Sequence, residues 1–260
     1  MLWAEMTSTE LSQAARSHPL VILPLGCTEQ HAAHLPVDAD TYQVERVVRD
    51  GATLARERHG VESVVLPTMP FGPAAEHLGF AGTISVPSEL YVGLVKHVLG
   101  SALDSGFDRL GVVRGCTGHW VVPGALWDLK AEAQRAGRTV TIHDLTMEAE
   151  YRALKEKHLP RAPGGHAGAM ETSLLLAGRP RSVRREAIAA PVLRAFPDRW
   201  VDAGEVFLFT EATSTGALGD PSDASAQAGE RLWADLIASF ADRLKVVADQ
   251  DRALGRMGSA

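Results

Sequence analysis

The sequence predicts an α/β fold, a single domain with helices layered on both sides of a mostly parallel central sheet. Two observations lead to this prediction: short runs of apolar, branched residues recur along the chain, and segments with helical spacing separate them. Strands that alternate with helices form right-handed βαβ units and therefore a parallel sheet. No internal repeat or linker divides the 260 residues, so one domain is expected over 1–260, with segments 1–15 and 251–260 at its periphery.

Four segments are predicted strands, over 20–26, 62–69, 109–116 and 139–145. The first, LVILPLG, is a continuous apolar run that stops at Gly26, a pattern typical of a strand buried on both faces. The second and third segments repeat this pattern, and the fourth shows partial alternation of apolar and polar residues.

Helices are predicted between and after the strands, over 41–58, 88–105, 122–136, 170–177 and 224–249. The second begins at Pro87-Ser88-Glu89 and ends near Gly106, residue types that favour a helix start and a helix end. The last is long and amphipathic. We expect a structured loop over 158–168, a loop-rich segment over 196–223 and a frayed tail over 251–260.

Charge and composition argue against several classes of partner. The chain has 26 Lys and Arg residues against 32 Asp and Glu residues and no basic block, so nucleic acid is not expected to bind. It has no apolar run long enough to span a membrane and no signal-peptide pattern at its N-terminus. We therefore predict a cytoplasmic protein without a membrane partner, and two cysteines suit that reducing compartment.

A dense polar cluster follows the first predicted strand and contains Glu29, His31 and Asp40. Loops beyond the carboxyl ends of parallel strands form the ligand crevice of such sheets. Glu29 and His31 are two residues apart and point to the same side of an extended segment, and Asp40 can return at the next helix. Carboxylates and imidazoles suit Zn²⁺ or Mn²⁺, although a solvated loop with Asp40 as a helix N-cap would give the same pattern.

Two further candidates lie at comparable positions. His119 follows the third predicted strand in a glycine-containing loop, and Glu171 begins a helix after GGHAGAM. Alone, His119 would be a hydrogen-bonded loop histidine and Glu171 a first-turn acid favoured by the helix dipole. Together with Glu29 and Asp40 they strengthen the metal interpretation.

Several motifs resemble the creatininase (creatinine amidohydrolase) family, in matching order and spacing from about residue 20 to residue 240. They are PLGCTEQHAAHLPVDAD, the stretch from Glu76-His77 to Ser85, Gly118-His119, GGHAGAMETS and GALGDPSDAS at 216–225. The resemblance implies a compact α/β hydrolase with two divalent ions, Zn and/or Mn, assembled as a homo-oligomer, usually a hexamer. Its mechanism uses water or hydroxide between the ions to attack an amide carbon.

Carried over by motif, the family's ligands fall on five residues of this chain. Glu29 and His119 would bind one ion and His31 and Glu171 the other, with Asp40 bridging both. His166 matches the family's catalytic histidine, which transfers a proton.

The chain departs from the family where the substrate is bound. Val121 stands where creatininase has a glutamate, Gly165 where it has a histidine, and Trp120 where many members have glycine. These differences argue against creatinine itself as the substrate. Trp120 and Gly165 are predicted to contact the substrate. Glu76 and His77 are predicted either to contact the substrate or to make structural hydrogen bonds.

The leading hypothesis is therefore a metal-dependent amidohydrolase acting on a small amide, a cyclic amide or a short peptide. Alternatives within the family are a peptidase of the mycofactocin-precursor type and a formamide deformylase. A different class is a non-catalytic member that acts as a binding or assembly partner, although retained ligands argue against it because buried charges are costly without a metal. Cys27 and Cys116 could meet near the site, or Cys27 could be a nucleophile, but small buried cysteines are common.

Overall fold

The computed structural model describes residues 1–162, 165–193 and 206–255. Within them, four strands form one parallel sheet in the order β2-β1-β3-β4. The strands are β1 (Leu20–Leu25), β2 (Ser63–Val65), β3 (Arg109–Arg114) and β4 (Thr141–Asp144). This confirms the predicted α/β class and the parallel sheet.

The strand order places a crevice beside β1. The chain leaves β1 for β2 on one side and then crosses to β3 on the other, so the direction of winding reverses between β1 and β3. In register, Leu20 pairs with Ser63 of β2 and Leu25 with Arg114 of β3. Open parallel sheets bind ligands outside the carboxyl ends of the two strands where the winding reverses.

Helices cover both faces of the sheet. They are α1 (Ser8–Ala15), α2 (Ala39–His59), α3 (Ser88–Asp104), α4 (Val122–Arg135), α5 (Glu148–His158) and α6 (Ala169–Gly178), followed by a short helix, Phe209–Ala212, and a C-terminal helix, Ala226–Ala253. Side chains of β1 alternate between two cores: Leu20 and Ile22 pack with α2, α6 and the C-terminal helix, and Val21 and Leu23 pack with α3 and α4.

Three elements differ from their predicted form. Strand β2 ends at Val65, short of the predicted 62–69, because Pro67 has no N–H to donate to the sheet. Helix α5 was not predicted. Residues 251–253 were expected in a frayed tail, but the C-terminal helix continues to Ala253 and Asp251 is fully buried. Residues 256–260 of the expected tail lie outside the described residues.

The expected loop-rich segment is only partly covered by the described residues. In the segment predicted to be loop-rich, residues 206–208 and 213–223 form loops around the short helix, and 196–205 lies outside the described residues. The N-terminal segment packs on the domain through Trp3, whose ring lies 5.3 Å from that of Phe107. No helix within the described ranges is both long and apolar enough to cross a membrane.

Candidate active site

The crevice beside β1 and β3 holds a cavity of about 640 Å³. Its lining includes the side chains of Glu29, Asp40, His166 and Glu171. Glu29 follows β1, Asp40 lies in the first turn of α2, and Glu171 lies in the first turn of α6. Helix α2 has Asp38 at its N-cap, so the alternative role of Asp40 as that cap is wrong.

His31 and Asp40 form a buried pair in the cluster. Nε2 of His31 lies 3.4 Å from Oδ1 of Asp40, and Nδ1 of His31 lies 3.1 Å from the backbone oxygen of Glu29. The carbonyl accepts a hydrogen bond from Nδ1–H, which directs Nε2 toward Asp40. Nε2 of His31 and Oδ2 of Asp40 are both buried without a hydrogen-bond partner among the described residues.

The electrostatics of this pair favour a cation. Burial by itself lowers the pKa of His31, but Asp40 outweighs that effect and, with Glu171, raises the pKa to about 9. The imidazole is therefore protonated in the metal-free protein and pairs electrostatically with Asp40. A divalent ion can replace such a proton, because ligating imidazoles must be neutral.

Four groups of ligand atoms are close enough to share an ion. The atoms of each group lie within 4.8 Å of one another, and the groups are Cys27, Glu29 and Cys116; Glu29, His77 and His166; His31, His166 and Glu171; and Glu29, His31 and Asp40. Glu29 belongs to three of the groups and links them. Four of the five predicted ligands, Glu29, His31, Asp40 and Glu171, are thus brought together.

Glu171 combines two roles that the sequence left open. The backbone N–H of Ala167 donates to Oε2 of Glu171 over 2.6 Å, so the carboxylate supports the turn before α6. Burial raises the pKa of Glu171 to about 7 against the opposing effect of His31. Ala167 itself has a left-handed backbone, with φ of 54°, as does Ala32, with φ of 56°. Each of these residues directly follows a histidine of the site.

Gln30 fixes the proton positions of two histidines. Its side-chain nitrogen lies 2.9 Å from the backbone oxygen of Gly216 and 3.0 Å from Nδ1 of His77, so its two hydrogens are committed to these acceptors. His77 is then neutral with Nε2–H pointing at Oε1 of Glu29, 3.3 Å away. Nε2–H of His166 donates to the backbone oxygen of Gln30 over 2.7 Å.

This arrangement leaves Nδ1 of His166 as a proton acceptor, 3.6 Å from Oε1 of Glu29. Burial, followed by the positive charge of His31, lowers the pKa of His166 well below its usual value, so the ring is neutral. Sequence reasoning missed Gln30, although it stands between two predicted ligands.

The loop at 216–225 holds the His166 turn in place. The backbone N–H groups of Leu218 and Gly219 both donate to the carbonyl oxygen of His166, over 3.1 and 2.8 Å. A Cβ on Gly219 would lie 2.6 Å from Cα of Gly168, so the two segments pack backbone against backbone. The motif quoted for its family resemblance therefore positions the predicted catalytic histidine.

His119 lies apart from the four ligand groups. It is fully buried after β3, stacks on Tyr91 with ring centroids 5.2 Å apart, and has no hydrogen-bond partner for either ring nitrogen among the described residues. The structure therefore does not place it in the same ligand group as Glu29, the residue with which the resemblance pairs it.

The residues predicted to contact substrate occupy different places. Trp120, which is 72% exposed, and Gly165 line the cavity. Glu76 and His77 lie outside its lining, with His77 buried against Glu29.

A family model described as creatinine amidohydrolase matches residues 4–244. The chain belongs to the creatininase family. This confirms the resemblance drawn from the sequence motifs and makes the chain a member of a family of hydrolases.

Relatives of this creatininase-family chain include mycofactocin precursor peptide peptidases. The protein of that name from Mycobacterium ulcerans (strain Agy99) is 31% identical over 254 residues, which cover 92% of this chain and 90% of the relative. The one from Mycobacterium tuberculosis (strain ATCC 25618 / H37Rv) is 32% identical over 250 residues, covering 90% and 87%.

Solved creatininase structures share the fold. A tryptophan-to-alanine mutant creatininase superposes with a TM-score of 0.80 at 22% identity, covering 94% of this chain and 97% of that chain. A glutamate-to-glutamine mutant of the Zn–Zn type and a structure named creatininase Mn each give a TM-score of 0.78 with the same coverage, at 22% and 21% identity.

Proposed function

We propose that this creatininase-family hydrolase depends on divalent metal ions, zinc or manganese, and cleaves an amide bond in a short peptide. The observation that carries the proposal is the buried pair of unpartnered ligand atoms, Nε2 of His31 and Oδ2 of Asp40, at the centre of a cluster of carboxylates. Buried polar atoms without partners are costly, and a bound cation removes that cost. The names of the related solved structures, Zn–Zn and Mn, support the choice of ions.

Glu29, His31, Asp40 and Glu171 would hold the ions, with Asp40 shared between them. When bound, such ions polarise an amide carbonyl and lower the pKa of water. The assignment of His119 as a further ligand of the Glu29 ion rests on the family motif, and its unpartnered ring nitrogens support it.

His166 would move the proton. Its Nδ1 is free to accept, because Nε2–H is bound to the backbone of Gln30, and the ring lies at the cavity wall. A neutral imidazole there can take a proton from the attacking water and pass it to the departing amine nitrogen. The loop containing Gly219 holds the backbone of His166 in place.

A peptide substrate is supported by the relatives and by the cavity. Relatives 31–32% identical over nearly the whole chain carry the name precursor peptide peptidase. The cavity is lined by apolar side chains, including Trp120, Trp233 and Leu236, and by the cationic side chains of Arg152 and Lys155. Such a wall suits peptide side chains and a carboxylate better than a small cyclic amide.

Helices α3 and α4 expose a group of apolar side chains. Leu90 and Leu94 of α3 and Trp127 of α4, which packs beside α3, are exposed apolar side chains. Exposed apolar side chains of this size support a homo-oligomer, a hexamer by family resemblance. We retain the cytoplasm as the expected location.

The decisive experiment assays metal-free, zinc-loaded and manganese-loaded protein on short peptides, linear amides and cyclic amides. We expect cleavage of peptides with either ion and none without. Asp40→Asn and Glu171→Gln should abolish turnover, Asp40→Asn should remove more metal, and His166→Ala should slow the reaction with its metal nearly intact. Glu57→Gln, on an exposed position of α2, is the control.

The proposal would be overturned if the protein bound no divalent ion, or if bound ions supported cleavage of no amide. Either result would favour a non-catalytic binding or assembly partner. Loss of the ions from His166→Ala would instead make His166 a ligand, since it belongs to two of the ligand groups. Cleavage confined to cyclic amides or formamides would reject the peptide substrate but keep the hydrolase.

A further inference from the structure

The carboxyl ends of β1 and β3 bring the chain's two cysteines to one point. Leu25 pairs with Arg114 in the parallel register, and Cys27 and Cys116 each follow two residues later. The two Sγ atoms and a carboxylate oxygen of Glu29 lie within 4.8 Å of one another. Two thiols and a carboxylate therefore border one small volume at the cavity wall, which includes Glu29 and Cys116.

Glu29 presents its two oxygens to different neighbours. Sγ of Cys116 lies 2.9 Å from Oε2, while Nε2 of His77 lies 3.3 Å from Oε1. The histidine thus holds one oxygen, and the other oxygen faces the thiols. The thiol of Cys116 donates its proton to this second oxygen of Glu29.

His119 supplies an independent sign of a ligand on this side. Both of its ring nitrogens are buried without a hydrogen-bond partner in the part of the chain that is described. A methyl group in place of a hydrogen of Gly72 would overlap Nε2 of His119 and lie 3.4 Å from Sγ of Cys27. Nε2 of His119 and Sγ of Cys27 therefore border the same side of Gly72.

We propose that Cys27, Cys116 and His119, together with Glu29, bind a zinc ion through sulfur, nitrogen and oxygen. The inference rests on the proposed function and deepens it, because this ion is the one that the family motif gives to Glu29 and His119. Each thiol that coordinates releases its proton to solvent, so no oxidant or reductant takes part.

Thiolate ligands make this position selective. Soft sulfur donors favour zinc over manganese, whereas the oxygen-rich set of Asp40 and Glu171 accepts either ion. The chain should therefore keep zinc at Glu29 even when manganese is supplied in excess, and exchange the other ion freely.

Cobalt replaces zinc as a spectroscopic probe. Metal-free protein, prepared with a chelator under reducing conditions, is titrated with Co²⁺ and its near-ultraviolet absorption is recorded. We expect thiolate-to-cobalt charge-transfer bands that Zn²⁺ removes and Mn²⁺ does not. Cys116→Ser and Cys27→Ser should each weaken the bands, and Cys116→Ser should lower the preference for zinc over manganese about tenfold or more. Thr28→Ser, at the residue after Cys27, is the control and should keep the bands.

The outcomes separate this inference from the proposed function. Two bound ions and active enzyme without charge-transfer bands would overturn the sulfur ligands and leave the hydrolase intact. Bands that persist in both cysteine variants would also overturn them. A chain that binds no divalent ion would overturn both proposals. If the variants fail to fold, the wild-type protein is tested by its cobalt spectrum and by the rate at which a thiol reagent modifies its cysteines. Bound zinc should slow this modification. An unchanged modification rate would contradict the inference.

Discussion

Nε2 of His77 lies 3.3 Å from Oε1 of Glu29, with both side chains buried. Because the amide of Gln30 occupies Nδ1 of His77, this contact is a hydrogen bond from His77 to the carboxylate. We expect His77→Ala to weaken divalent-metal binding about 10- to 100-fold, the usual loss when a partner of a ligand is removed. Calorimetric titration of the metal-free variant and wild-type proteins with a divalent ion measures this loss of affinity.

The matched control for His77 is His97→Ala in α3. His97 is exposed, and its ring bonds to the backbone oxygen of Gly93 at a distance from the cluster. Its removal should leave metal affinity unchanged. Equal affinities of the two variants would show that His77 does not position Glu29.

Gly219→Ala should disturb the His166 turn. The new methyl would lie 2.6 Å from Cα of Gly168 and 2.8 Å from the backbone oxygen of Gly165, and neither backbone atom can move without shifting the turn. We expect kcat to fall at least about tenfold, since small misplacements of catalytic groups are costly. Steady-state kinetics with saturating metal measures this.

Gly93→Ala is the opposite case and serves as the control. Gly93 lies inside α3, and a Cβ there would meet nothing within 4 Å. We expect unchanged kinetics and a gain of about 0.5–1 kcal/mol in the free energy of unfolding. Unaltered kcat in Gly219→Ala would contradict the role of the 216–225 loop.

The buried pair of Arg109 and Asp251 should dominate the stability of the C-terminal helix. Nη2 of Arg109 lies 2.7 Å from Oδ2 of Asp251, and both side chains are inaccessible to solvent. Asp251→Ala should lower the free energy of unfolding by about 3–5 kcal/mol, because it leaves a buried charge uncompensated. Asp242→Ala, at an exposed pair with His59, should cost at most about 1 kcal/mol. Urea unfolding measures the free energy of unfolding of both variants. Similar losses of stability in the two variants would contradict the prediction.

Metal should stabilise the protein more at high pH. Burial, then Asp40 and Cys116, raises the pKa of Glu29, and burial raises that of Glu171 to about 7. Folded-state pKa values above the unfolded value of 4.5 mean that the metal-free protein loses stability as pH rises through 7. Ions that replace these protons should therefore raise Tm more at about pH 8 than at about pH 5.5. An equal gain at both pH values would contradict this.

The sheet was predictable because β1 and β3 are buried on both faces and leave continuous apolar runs in the sequence. Helix α5 was missed because Leu154 is its one buried residue and its apolar stripe is weak. A signal was present in its charges, with Glu148 and Glu150 in the first turn and Lys155 and Lys157 in the last. The buried Asp251 could not be foreseen, since its partner Arg109 lies 142 residues away.

For the site, motif order identified Glu29, His31, Asp40 and Glu171, which meet as expected. The roles of Gln30 and Cys116 depend on atomic contacts between separate strand ends and loops, and no local pattern in the sequence encodes them. The direction of the His119 ring is likewise not predictable from the spacing of the motif.

The left-handed alanines after His31 and His166 restrict what can replace them. Side chains branched at Cβ are strongly disfavoured in that conformation, whereas glycine and asparagine tolerate it. A saturation library at positions 32 and 167, selected for activity, should therefore return alanine, glycine, asparagine and aspartate and exclude valine, isoleucine and threonine. Evolution of new specificities in this enzyme would leave these two positions nearly fixed while the cavity wall diversifies.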